Sequence, residues 1–103
     1  MSIDFTAAAR IEIVLTARDL KASHGERTAN AFRRRLQATL ERLAAAPESV
    51  ALVDPPIDEL SRLRVVPVAK FKARLVFYQK TDTGILVLHV LHAASDWQTT
   101  LGG

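Results

Sequence analysis

Cysteine is absent from the 103 residues, which excludes disulfide bridges and thiolate zinc sites and makes a cytosolic location the expectation. Glycine and proline are scarce, four of each, and there are no low-complexity tracts or internal repeats. The longest apolar run, Ile85 to Leu91, contains a histidine and is far short of the roughly 20 residues of a membrane span. Nor does the amino terminus, MSIDFTAAARIEIVL, have the basic start and uninterrupted apolar core of a secretory signal. Histidines number three. His89 and His92 lie three apart on an expected strand and so project to opposite faces, which prevents them from sharing a metal ion. No glycine-rich phosphate loop, paired carboxylates or Ser/His/Asp spacing is present, and neither a metal nor a cofactor is expected.

What is present suffices for one compact domain over residues 1–103, with 49% hydrophobic and 24% charged residues. The net charge of +3 is unevenly distributed. Met1 to Glu59 carries eight Lys/Arg against nine Asp/Glu, whereas Leu60 to Gly103 carries six against two. The carboxy-terminal half is therefore net +4, which favours an anionic partner, either nucleic acid or an acidic protein segment.

That half also holds the clearest strand signals. Arg74 to Tyr78 and Ile85 to His92 are β-branched, aliphatic and aromatic runs joined by Gln79-Lys80-Thr81-Asp82-Thr83-Gly84. This pattern predicts a β-hairpin, with Gly84 supplying the positive φ of a short loop. The second run is apolar on both faces, as a central strand would be. Leu63 to Val68 predicts a third strand, with Pro67 marking its end or a sheet edge.

Upstream, Ser2 to Phe5 alternates as a short strand, and Thr6 is placed to cap a helix from Ala7 to about Ser23. That helix has two apolar stripes: Ile11, Val14 and Leu15 with Arg18 on one side, Ile13, Ala17 and Leu20 on the other. A helix apolar on two sides is sandwiched between neighbours or completes its burial against a partner. Gly25 breaks the pattern. A second helix runs from about Arg27 to Ala45 and buries Ala29, Phe32, Leu36, Leu40 and Leu43, while the Arg33-Arg34-Arg35 run forms a solvated face. Pro47 ends it, and Glu48 to Leu60, with Pro55-Pro56, is expected to cross to the sheet as a loop. The result is an α+β fold: a short β1, then a hairpin of α1 and α2, packed on a small antiparallel sheet of β2, β3 and β4.

The ordered set Leu63-Arg64, Pro67-Val68, Phe71, Leu75-Val76-Phe77-Tyr78, Val90-Leu91-His92-Ala93 and Asp96-Trp97 resembles the carboxy-terminal half of the RelE/ParE superfamily of type II toxin–antitoxin toxins. The upstream helices match that family in order and length. The resemblance implies a toxin neutralised by a cognate antitoxin in a hetero-oligomer, and it carries two target classes. RelE-type members are ribosome-dependent messenger RNA endonucleases; on that reading Arg64, Arg74 and His92 would be catalytic, His92 as acid or base and the arginines as phosphate stabilisers. ParE-type members poison DNA gyrase without cutting RNA.

The "LHxxxD" ending after "LVFY" is closer to ParE, and Ser95 stands where the nuclease ending usually has arginine. Lys70, Arg74 and His89 also depart from residues common among relatives. A third reading, a detoxified binding module, rests on the same incomplete set. For contact with target or antitoxin the resemblance implies Arg64, Lys70, Lys72, Arg74, His92 and Trp97. The bland roles for the same residues are a strand-end hydrogen bond for His92 and a core-capping indole for Trp97.

Overall fold

The computed structural model describes residues 1–53 and 62–95. The element order is β1 (Ser2–Phe5), α1 (Ala7–His24), α2 (Glu26–Ala45), a 3-10 turn (Pro47–Ser49), β2 (Arg64–Val68), β3 (Phe71–Lys80) and β4 (Gly84–His92). Thr6 caps α1 as its position predicts: its extended backbone lets Oγ1 accept from the Ala9 N–H at 3.1 Å, an arrangement worth about 1 kcal/mol. The same hydroxyl donates to the Leu88 carbonyl at 2.7 Å, so one side chain starts the helix and ties it to β4. Gly25 alone links the helices with φ at 94°, a conformation that any side chain would strain.

The four strands form one sheet in the order β1-β4-β3-β2. β2, β3 and β4 make the antiparallel meander expected from sequence. β1 differs: it pairs parallel with β4, Ser2 opposite Gly84 through Phe5 opposite Val87, so the sheet is mixed. A parallel neighbour needs a crossover connection, and the chain from β1 to β4 passes through the helical hairpin. β4 is central, between β1 and β3, as its two apolar faces imply.

Gly84 corrects the sequence reading. It starts β4 and has no positive φ; a Cβ there would lie 1.9 Å from the Ser2 carbonyl oxygen. Glycine is required by the close approach of β1. The positive φ falls instead on Lys70, at 68°, in the turn between β2 and β3.

The core lies between the helices and one sheet face. α2 buries Ala29, Phe32, Leu36, Leu40 and Leu43, the stripe read from its periodicity, against Val68, Val76, Tyr78, Ile85, Val87 and Val90. Val87 and Val90 share that face only because the register shifts where Phe77 and Tyr78 meet β4. Strict alternation, which would separate them, is interrupted by this irregularity. Buried Thr39 locks the β2–β3 turn to α2: its hydroxyl donates to Arg35 O at 2.7 Å and accepts from Ala69 N–H at 3.2 Å. Tyr78, fully buried, donates to Pro47 O at 3.0 Å and holds the 3-10 turn against the sheet. Beyond that turn Leu52 bridges Arg64 and Val53 N–H donates to Leu63 O, and the rest of the expected loop, with Pro55-Pro56, lies outside the described residues.

Candidate functional site

Two surfaces emerge from this architecture, one apolar on α1 and one basic around the β2–β3 turn. On α1, Ala9, Thr16, Ala17 and Leu20 face the protein, whereas Ile11, Val14 and Leu15 are 60%, 49% and 48% exposed. Of the two stripes in the sequence, the fold uses one and leaves the other uncovered. Three adjacent aliphatic side chains half in water are a surface in need of a partner. They line a depression of about 310 Å³ whose ends are Arg10 and Arg18; Arg10 also lies 5.3 Å over the Phe5 ring. The chemistry is an apolar strip between two cations, suited to an amphipathic segment carrying acidic flanks.

Beneath α1, Glu12 performs a role that sequence did not reveal. Its carboxylate accepts from Val90 N–H at 3.0 Å and pairs with His89 Nδ1 at 2.9 Å. It thereby satisfies the backbone beside the β4 irregularity and fixes α1 to the sheet. The contact joins residues 77 apart, and only an acid set between Ile11 and Ile13 hinted at it. His89 is thus taken up by the fold.

The basic residues do not gather into one site. Arg74 stands directly opposite His92 in the β3–β4 pair, and Lys70 and Lys72 are exposed on either side of Phe71. Arg64 is elsewhere. It pairs with Tyr78, four residues along β3 from Arg74, roughly 13 Å at strand rise. Its side chain is buried, 7% exposed, and Nη1 donates to the Val50 carbonyl. Arg64 therefore braces the connection after α2 and is not an accessible contact residue. The sequence pattern placed it on a basic flank because strand parity alone does not say which face the helices cover.

His92 is exposed, with Nδ1 accepting from Ala94 N–H at 2.9 Å. That bond leaves Nε2 as the nitrogen carrying the proton in the neutral ring. Ser95, at the position where a nuclease would carry arginine, donates its hydroxyl to His92 O at 2.6 Å and closes the strand end. Trp97 lies outside the described residues. Among those residues no group of His, Asp or Glu is arranged to hold a metal, and no helix is long and apolar enough to cross a membrane.

A third feature, missed from sequence, is a polar cleft of about 400 Å³ between α2 and the β2–β3 turn, lined by Arg27, Thr28, Asn30, Ala31, Arg34 and Phe71. Arg27 and Arg34 are seven apart and so share a helix face. The helix periodicity carries that signal, but only the turn reveals what the face meets.

Among solved structures, the chromosomal ParDE TA system from P. aeruginosa is similar, with a TM-score of 0.71 and 13% identity over 89% of this chain and 95% of that chain. At that identity the likeness is one of fold. No curated protein matches. The family model described as the ParE toxin of type II toxin-antitoxin system, parDE, matches residues 3–97, a span that takes in the helical hairpin and, but for Ser2, all four strands of the sheet. With helices, mixed sheet and family match in agreement, the chain belongs to the ParE toxin family of type II toxin–antitoxin systems.

Proposed function

We propose that the chain is a cytoplasmic toxin that acts on DNA gyrase and is held inactive by its cognate antitoxin. The observation that carries the choice of target is the burial of Arg64. RNA cleavage needs a base, an acid and cations converging on one phosphate, and of Arg64, Arg74 and His92 only the last two are neighbours. Ser95, turned back onto the strand end, supplies no replacement charge. With no catalytic set assembled among the described residues, the toxin acts by binding, which is the ParE mode.

The uncovered stripe of α1 supports the antitoxin half of the reading. A segment disordered on its own and ordered on Ile11, Val14 and Leu15 would gain apolar burial there, with acidic residues meeting Arg10 and Arg18. Lys70, Lys72, Arg74 and His92 remain for the target. Expression of the chain alone in a bacterial host tests the proposal. Growth arrest with filamentation, a DNA damage response and intact transcripts is the expected result. Transcripts cut at ribosome-bound codons would replace gyrase by the RelE-type target, and absence of arrest would leave a binding module without toxicity.

A further inference from the structure

The geometry points to a duplex DNA backbone site at the cleft between α2 and the β2–β3 turn, with Arg27 and Arg34 inside it and the exposed Lys70 and Lys72, which flank Phe71 in the chain, beside it as phosphate contacts. Arg27 and Arg34 line the cleft, together with Asn30 and with Thr28, whose hydroxyl donates to His24 O, and none of its lining residues is a carboxylate. Along α2 the two arginines stand about 10 Å apart at helical rise, a span that covers roughly three phosphates of one strand at 3.4 Å of axis each. Asn30 Oδ1 is occupied by Arg33 Nη1 at 3.3 Å, which leaves its amide hydrogens as donors. Across the cleft lies Phe71, flanked in the chain by exposed Lys70 and Lys72.

Two details separate a built site from a merely basic surface. The turn is pinned: Thr39 holds Ala69 N–H from within α2, so the lysines are displayed from a fixed platform. Lys70 also adopts φ of 68°, a region that lysine avoids and glycine would enter freely. A charged residue kept where the backbone favours glycine is a mark of use.

The aromatic residues decide for duplex over single-stranded nucleic acid. Unpaired bases are held by stacking on exposed rings. The one ring in this cleft, Phe71, packs edge-on against Phe32 with centroids 5.5 Å apart, while Phe32, Phe77 and Tyr78 are fully buried. Among the described residues Phe71 alone, half-buried against the core, brings a ring to the cleft, where stacking of successive bases calls for several. Contact is then to phosphates, without sequence preference. The site stands on its own residues whatever the target, and a toxin acting on gyrase would use it to hold the DNA segment that the enzyme carries.

Fluorescence anisotropy of a labelled duplex with the purified full chain, without gyrase, tests it. Four phosphate contacts give a slope of log affinity on log salt of about −3.6, or roughly a hundred-fold loss between about 50 and 200 mM. Lys70→Gly, which relaxes the backbone and leaves the fold intact by circular dichroism, is expected to lower the slope by about 0.9, and Arg27→Gln with Arg34→Gln by about 1.8. Arg42→Gln, on the same helix about 22 Å from Arg27, is expected to leave it unchanged. Absence of saturable binding at about 50 mM salt would overturn the site. So would a loss with Arg42→Gln equal to that with Arg34→Gln, which would mark diffuse attraction, or a preference for single-stranded RNA over the duplex.

Discussion

Removing the exposed aliphatic side chains of α1 is expected to weaken antitoxin binding while leaving the toxin folded. Ile11 and Leu15 are 60% and 48% exposed. Complete burial of such a side chain contributes about 1.5–3 kcal/mol, and roughly half of that remains to be gained when a partner covers it. Each therefore offers about 1 kcal/mol, and Ile11→Ala with Leu15→Ala forfeits about 2 kcal/mol, a loss near 30-fold in affinity. Within the monomer the share of these side chains that is already buried is lost too, offset in part by the higher helix propensity of alanine, so stability should fall by only about 1 kcal/mol. Calorimetric titration with the cognate antitoxin reads the first quantity and thermal melting the second. Affinity within about threefold of the parent would refute the stripe as the docking surface. A fall in melting temperature above about 10 °C would instead mean that the stripe belongs to the toxin's own core.

Gly84→Ala drives a Cβ to 1.9 Å from the Ser2 carbonyl oxygen and forces β1 off β4, with an expected cost of about 3 kcal/mol; a denaturant midpoint unchanged from the parent would show that β1 is dispensable. Tyr78→Phe removes the hydroxyl donated to Pro47 O, at a cost of about 1 kcal/mol near neutral pH. Burial pushes the Tyr78 hydroxyl above its usual value of 10.0, because the folded chain holds the neutral phenol. Its stabilisation is therefore complete below pH 10.0, where the unfolded chain begins to ionise, and is lost as the pH rises from there through the folded-state value. The alkaline loss of stability should be smaller in Tyr78→Phe, as unfolding midpoints on either side of that pH would register.

Much of this fold is local enough to read from the chain. Thr6 as cap, Pro47 as stop and the stripe from Ala29 to Leu43 depend on residues within a turn or two of each other, and periodicity reports them directly. The strands were legible for the same reason, with β3 longer at both ends than the run Arg74 to Tyr78 implied. Non-local choices were not legible. Pairing of β1 with β4 is decided by the route of the helical hairpin, and Gly84 answers to a strand 82 residues earlier in its register with Ser2. Strand parity failed at the register shifts of β2, β3 and β4. Arg64 lies in regular register, but parity alone does not say which face the helices cover, and its side chain turns inward to Val50. Glu12 and His89 meet across most of the chain, beyond any spacing rule. The double stripe of α1, by contrast, announced an unsatisfied face before the structure identified which of its two sides was uncovered.

For the site, residue type proved easier to read than grouping. Lys70, Lys72, Arg74 and His92 are exposed or half-exposed, but the cleft that sets Arg27 and Arg34 of α2 against Phe71 of β3 comes from the packing of the β2–β3 turn on α2, where Thr39 holds Ala69 N–H. Charge on a helix and charge on a hairpin are separate facts in the chain.

The most direct test of the account is a cleavage assay with purified gyrase, supercoiled plasmid and the toxin, stopped with detergent and protease. Gyrase poisoning predicts linear plasmid that accumulates with toxin and disappears when the cognate antitoxin is added first. Plasmid that stays intact, with supercoiling unaffected, while ribosome-bound messenger RNA is cut in a parallel reaction, would contradict it.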